Sequence, residues 1–358
     1  MGKYTAIDDP SAYFQTTLYT GNGAAQDITN TGNSDLQPDM VMTKVRNAAQ
    51  GWHTISDSTR GVSANTGKWL NLGNTDAETD DANGIRAFNT DGFKTGNGWF
   101  NGASNYLYVA WQWKCNGGTT SSNSDGATTA TVQANTTAGF SIITWTGTGS
   151  ATTIGHGLGV APDVLIVKNR TTALDNAVYH KDLTDAGYVI ALNSTDSQAD
   201  SGTNRWNHTD PTSSVIHIGS GQQTNQDTNN MICYAFAEKQ GYSKFGKYVG
   251  NGNANGPFVY TGFKPAFVLL KPLVAGRNWQ LIDSARDPHN PMDIWLQPNQ
   301  VSSEFDGSAY DVYMDFLSNG FKLRTDNVSW NQSSQTIIYM AFAENPFVTS
   351  TGIPATAR

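Results

Sequence analysis

Charge is scarce in this 358-residue chain. Lys, Arg, Asp and Glu make up 15% of it, well below the roughly 25% of an ordinary soluble domain. Glutamate occurs only as Glu78, Glu238, Glu304 and Glu344, so the paired carboxylates of glycan hydrolysis have few candidates. Glu238 and Glu344 close equivalent strand-like runs and read as structural. Cysteine is limited to Cys115 and Cys233, too few for a disulfide framework, and two free thiols are expected. No run of 18 apolar residues exists, which excludes a membrane-spanning helix. The opening Met1-Gly2-Lys3-Tyr4 lacks the basic flank and apolar stretch of a secretory leader, so none is expected. A net charge of −8 and a pI near 5.1 leave no electrostatic footprint for nucleic acid. Only Lys44-Val45-Arg46 and Lys168-Asn169-Arg170 are locally basic, and both follow strand-like runs. The six histidines show no metal-ligand spacing. Neither a catalytic residue nor a cofactor is expected.

Glycine is abundant, at 36 residues, and aromatics form 11% of the chain with ten tryptophans. Gly, Asn and Asp tolerate the left-handed backbone of tight turns, while aromatics supply large apolar area for small cores. The combination predicts many short strands and argues against disorder.

The strongest signal is internal repetition. Tyr19-Thr-Gly-Asn-Gly23 recurs as Trp145-Thr-Gly-Thr-Gly149 and Tyr248-Val-Gly-Asn-Gly252. Each is followed by a Pro-led apolar run ending in Lys: Pro38 to Lys44, Pro162 to Lys168 and Pro265 to Lys271. Asp57 with Arg60 and Asp283 with Arg286 recur at matching places after Trp52 and Trp279, where the middle copy has Ala177-Val-Tyr-His180. Phe88-Asn-Thr-Asp-Gly-Phe93 and Phe316-Leu-Ser-Asn-Gly-Phe321 carry hairpin signals. Aromatic strands around Tyr108–Trp113, Met231–Phe236 and Ile338–Phe342 close the copies. The alternation Tyr108-x-Ala-Trp-x-Trp suggests a strand with one solvated face, and the continuous runs Val164–Val167 and Phe267–Leu270 suggest strands covered on both.

The expected fold is therefore all-β: three tandem β-sandwich repeats of about 100 residues, jelly-roll-like. Propeller blades are too short to match, and three would not close a ring. The expected boundaries are an arm at 1–17, repeats at 18–115, 139–240 and 241–345, a flexible linker at 116–138, and a tail at 346–358. The second and third repeats, joined by Gly241-Tyr-Ser-Lys-Phe-Gly246, are expected to pack together, with the first set apart.

Asp57, Arg60, Asp283 and Arg286, joined by Asn71, Asn193 and Asn299, form the best polar constellation. It reads as a bracing network that uses the planar fork of Arg, against the alternative of a sugar site. Gly155–Gly159 and Gly250–Gly256 stand before Pro-led strands rather than opening a helix and read as turns, not phosphate loops. Trp52, Trp279, Trp111 and Trp113 read as core. Trp69, Trp99, Trp206, Trp295 and Trp330 lie in polar surroundings and are the candidate ligand-contacting aromatics.

The opening Ile7-Asp-Asp-Pro-Ser-Ala-Tyr-Phe-Gln15 with Leu18–Gly23, the segment Asn135–Ile143 before Trp145, the Gly241–Gly246 linker, and the ending Ala343-Glu-Asn-Pro-Phe347 through Pro354–Arg358 resemble a repeat family of marine bacteriophage structural proteins. The first copy departs at Asn33-Ser-Asp-Leu-Gln37, and the middle copy has Val215-Ile-His-Ile-Gly219 in place of the Asp-Gly-Phe hairpin. The resemblance implies a virion protein, assembled in the host cytoplasm, partnered by other virion proteins and carrying no catalytic residues. A tail- or fibre-associated adhesin touching host-surface glycans is the expected role, with a capsid decoration or vertex protein as the alternative. A low-charge surface and virion symmetry predict a homo-oligomer, trimeric for preference, with residues 1–17 and the Pro354–Arg358 tail at its contacts. Neither nucleic-acid binding nor membrane insertion is expected.

Overall fold

The computed structural model describes residues 5–346. Its first unit runs β1 (Phe14–Thr20), β2 (Asp27–Ile28), β3 (Met40–Val45), β4 (Thr54–Asp57), β5 (Gly67–Asn71), β6 (Thr79–Asp81), β7 (Ala87–Asn89), β8 (Gly92–Lys94) and β9 (Leu107–Trp113). These form an antiparallel main sheet in the order β1-β9-β3-β4-β5-β6, backed by the short sheet β2-β8-β7.

The second unit adds β10 (Ser121–Asn123) and β11 (Ala130–Asn135) ahead of β12 (Phe140–Thr146). It continues with β13 (Thr152–Gly155), β14 (Val164–Asn169), β15 (Ala177–His180), β16 (Tyr188–Ala191), β17 (Ala199–Asp200), β18 (Val215–Ile218), the helical turn α1 (Gln222–Asn225) and β19 (Asn230–Phe236). Its main sheet is ordered β10-β11-β12-β19-β14-β15-β16-β17, backed by β13-β18. The third comprises β20 (Ser243–Val249), β21 (Phe258–Tyr260), β22 (Phe263–Pro272), β23 (Gln280–Asp283), β24 (Ile294–Trp295), β25 (Phe305–Asp306), β26 (Met314–Leu317), β27 (Gly320–Leu323), α2 (Val328–Asn331) and β28 (Thr336–Pro346). There β20-β28-β22-β23 is backed by β21-β27-β26. The fold is all-β. The backing layers are two or three short strands, slighter than the second sheet of a full jelly roll.

One strand order, first–last–Pro-led–next, thus recurs in three sheets. Register makes the positions equivalent: Lys44 lies opposite Val109, Lys168 opposite Ile232 and Lys271 opposite Ile338. Both hairpin signals form, with Phe88 opposite Phe93 and Phe316 opposite Phe321. Pro38 and Pro162 precede their strands, whereas Pro265 lies inside β22 at a bulge, where a residue without an N–H is tolerated. The recurring Gly motif has a steric cause. A Cβ on Gly21, Gly147 or Gly250 would sit 2.1, 2.0 or 2.2 Å from the carbonyl oxygen of Ala103, Gln226 or Gln332 respectively.

The Pro-led strands are buried on both faces because they divide two cores. Met40, Val164, Phe267 and Leu269 face one shared central cluster, while Val41, Leu165, Val268 and Leu270 face three separate outer ones. At the centre the equivalent rings of Trp113, Phe236 and Phe342 meet pairwise, with centroids 5.6 to 6.4 Å apart. Beside them is an apolar cavity of about 40 Å³ lined by all three units, among them Met42, Ile166 and Leu269.

The shared core corrects several expectations. The first unit does not stand apart, since Met42, Ile55 and Trp111 join the central cluster with Ile232 and Phe267. Residues 116–138 are not merely a linker: they contain β10 and β11, which extend the second sheet through Val132 opposite Ile143. From Thr5 onward the arm packs back on its own chain, with Ile7 and Phe14 in the central core and the Thr5 hydroxyl donating to Gln240 O. Its residues from Phe14 onward are already β1. β9 has no solvated face: Gln112 is fully buried and donates to Thr17 Oγ1 and Asn30 Oδ1. Trp279 is core, but Trp52 is only half-buried, because His53 rather than Trp52 occupies the place equivalent to Trp279. The Pro354–Arg358 tail lies outside the described residues.

Candidate functional site

The polar constellation expected from the sequence sits at the seams between units. Asp57, at the end of β4, accepts from the Arg60 backbone N–H at 2.9 Å and from Arg60 Nε at 2.5 Å. Arg60 also donates to Ile55 O and to Glu78. The second unit completes the network: Tyr234 OH donates to Asp57 Oδ2 at 2.7 Å, and Arg170 holds Glu78 with two hydrogen bonds. The third unit repeats this atom for atom, from Asp283 through Arg286 to Glu304 and Leu281 O. Here the first unit completes it, with Trp111 Nε1 donating to Asp283 Oδ2 at 3.1 Å and Arg46 Nε to Glu304 Oε1 at 2.7 Å. The side chains of both central Asp–Arg pairs are fully buried.

Such burial demands pairing. For Arg60, burial alone would lower the pKa, but Asp57, Tyr234 and Glu78 more than offset it and hold it above the ordinary value. For Glu78, burial raises the carboxyl, yet Arg170 and Arg60 pull it below the usual range. Tyr234 is pushed well above 10, chiefly by burial.

In the second unit His180 stands at the position of Asp57 and Asp283, as its register opposite Val164 shows. Its Nδ1 accepts from the Asp182 N–H and its Nε2 lies 3.2 Å from Tyr339 O of the third unit, which places the proton on Nε2. Burial lowers its pKa to about 4, so it is neutral. The seams therefore form a closed circuit: first on second, second on third, third on first.

The recurring lysines belong to the same circuit. Lys44 Nζ donates to Gln50 O of its own turn and Val301 O of the third unit, and Lys168 Nζ to Leu174 O and to Thr75 O of the first. Lys271 Nζ donates to Arg277 O, whose residue donates its N–H to Thr195 O of the second unit. Burial lowers their pKa values to about 7, 8 and 8 respectively.

Asn71, Asn193 and Asn299 do not join the Asp–Arg pairs. Asn193 and Asn299 accept from the N–H of Asn176 and Trp279 at the start of the neighbouring strand, and Asn71 donates to Asp76. Four of the five candidate contact tryptophans are buried. Trp69 donates to Asp81, Trp206 to Tyr188 O, and Trp295 packs edge-on against Trp330. Polar sequence surroundings misled there, because short backing strands and helical turns fold these rings inward. Only Trp99, 53% exposed, faces solvent. Among the described residues, no group of three His, Cys, Asp or Glu side chains is placed to hold a metal. Cys115 and Cys233 are free and buried.

Several seam residues escaped the sequence reading. Glu78 and Glu304 stand at the same offset from Asp57 and Asp283, a signal that was readable. Tyr234 and Trp111 were visible only as strand aromatics. Asn225 and Asn331, fully buried hubs at the ends of the helical turns, each hold the neighbouring glycine loop through backbone contacts of Thr148 or Asn251.

Residues 9–346 match the family described as Domain of unknown function (DUF7483). The chain belongs to that family. The matched span takes in all three units, in keeping with their common core. No curated protein and no solved structure matches the chain.

Proposed function

We propose that this DUF7483 protein is a structural component of a bacteriophage particle, exposed on its tail or fibres, where it contributes to contact with host-surface glycans. The likeness of its opening, linker and ending segments to marine phage structural proteins supports the virion reading. The closed seam circuit carries the structural one: the buried carboxylates of Asp57 and Asp283 and the half-buried ones of Glu78 and Glu304 each hold an arginine across or beside a seam. Groups committed in this way fix neighbouring units instead of facing a substrate. Trp99, with Tyr106 at 5.4 Å, is the surface platform for a sugar ring.

The burial of the other four tryptophans favours a second reading, a capsid decoration or vertex protein. Other virion proteins and further copies of the chain, trimeric for preference, are the partners in either case. Quantitative mass spectrometry and antibody labelling of purified particles test the proposal. Stoichiometric copies on the tail support the first reading, copies on the shell the second, and absence from particles overturns both.

A further inference from the structure

The three seams are equivalent in position but are not filled alike. At the seam of the first and second units, β11 covers the outer edge of β12. Ile142 and Thr144 pair there with Gln133 and Thr131, and Gln133 Nε2 reaches across to Ser58 Oγ and Thr59 Oγ1 of the first unit. At the seam of the second and third units, the edge of β20 is closed by charge: Lys244 pairs with Glu238 and Lys247 with Asp182.

At the seam of the third and first units the corresponding place is open. Phe14 in β1 is equivalent to Phe140 in β12, since both lie opposite the ring-bearing end of the last strand. Thr16 and Leu18 are therefore equivalent to Ile142 and Thr144, and their backbone groups point outward. Among the described residues no strand pairs with them. Thr16 Oγ1 is buried without a hydrogen-bond partner, and Leu18 is 39% exposed. Beside them is a groove of about 170 Å³ whose far wall is Ala266, Ser284 and Ala285. Ser284 and Ala285 are the equivalents of Ser58 and Thr59, the two residues that Gln133 touches at the filled seam. Among the described residues the one charged group lining the groove, Glu344, is already paired with Lys264 at 2.8 Å.

An unpaired strand edge is a template for another strand. We propose that this groove is a strand-acceptor site. It takes an extended, uncharged segment of a neighbouring protein, rich in small and β-branched residues, antiparallel to β1 in the register β11 uses on β12. A Gln side chain at the position of Gln133 would meet Ser284. With Glu344 already paired and the other described lining residues uncharged, the groove favours an uncharged strand, and β11 itself (Ala-Thr-Val-Gln-Ala-Asn) shows what such a strand looks like. The inference does not depend on where the protein sits on a particle.

The test uses the full chain and a synthetic peptide of residues 128–137 as the probe, read by amide hydrogen exchange. Protection of the Thr16 and Leu18 amides by at least tenfold, with Ile142 and Thr144 unchanged, is the expected result. A peptide with Lys at the Gln133 position should lose that protection, as should the protein variant Ala285→Arg, whose unfolding midpoint serves as the control for folding. No protection at millimolar peptide, or protection confined to other strands, overturns the proposal. So does concentration-dependent protection of Thr16 without peptide accompanied by a doubled mass in sedimentation, which would make a second copy the occupant.

Discussion

Trp111 of the first unit donates its indole N–H to Asp283 of the third, while the Arg286 guanidinium that neutralises Asp283 lies 5.6 Å over the same indole ring. One side chain thus satisfies a buried carboxylate and faces its counter-ion across a seam. The equivalent place at the next seam is taken by Tyr234, which does the first task through its hydroxyl.

Removing one partner of such a pair exposes the cost of burying the other. Arg286→Ala should destabilise the protein by about 3–5 kcal/mol, whereas Trp111→Phe, which loses one hydrogen bond to a charged group, should cost about 1.5–3 kcal/mol. Denaturant unfolding of the two variants and their double mutant checks this. Additive losses would show that the two residues do not share a network.

The arm is part of the core, so deleting residues 2–14 should prevent cooperative folding. Ile7 and Phe14 are lost together, and truncation of a buried Phe alone costs about 3–5 kcal/mol. Thermal unfolding followed by tryptophan fluorescence, with Phe14→Ala as the milder variant, reads the effect. A truncated protein that melts like the parent would show that the arm's docking contributes nothing.

Stability should fall in acid between about pH 6.5 and 4. Burial lowers the pKa of His180 to about 4 and that of His53, stacked near Trp111, well below 6.5. The folded state therefore keeps both neutral where the unfolded chain binds protons, and stability is lost as pH drops through that window. Urea midpoints for the parent and for His53→Phe should differ more at pH 5 than at pH 8.

On the alkaline side stability keeps rising at first and then reverses once. Lys44, Lys168 and Lys271, at about 7, 8 and 8 when folded, bind fewer protons than the unfolded chain up to about pH 10.5, so stability should rise from pH 8 toward 10. Above pH 10 the buried Tyr19 and Tyr234, both raised chiefly by burial, keep protons that the unfolded chain releases, and stability should then fall. A midpoint that declines steadily from pH 7 would contradict the lysine placement.

Gly21→Ala and Gly250→Ala should each cost about 1–3 kcal/mol, the usual scale of overpacking against fixed neighbours. The Cβ at either place meets a backbone carbonyl within 2.2 Å. Gly61→Ala, with nothing within 4 Å but a φ of +82°, separates the steric effect from the conformational one.

The recurring Gly motif, the Pro-to-Lys runs and the Asp–Arg pairs made the strand order legible, because a closely packed backbone and buried charges tolerate few substitutes. What the sequence concealed lies at the seams. Alternation in β9 reads as one wet face, yet Gln112 is buried by bonds to Thr17 and Asn30. His180 and Asp57 occupy one position with different chemistry, and a comparison of residue types aligns His180 with His53 instead. The small polar run at 116–138 hides β10 and β11, since Thr and Ser on an edge strand look like a linker. Trp206 and Trp330 read as contact residues because the short elements that cover them carry little pattern of their own.

The seam circuit also bears on how the chain acquires its structure. In an open stack each repeat touches only its predecessor and can be added or removed at an end. Here the pocket for Trp111, laid down early in the chain, is made by Asp283, and the carbonyl that receives His180 belongs to Tyr339 in the last strand. No one of the three units stands at an end of the ring, where its loss would leave the other two whole, so they should be gained and lost together in one all-or-none transition.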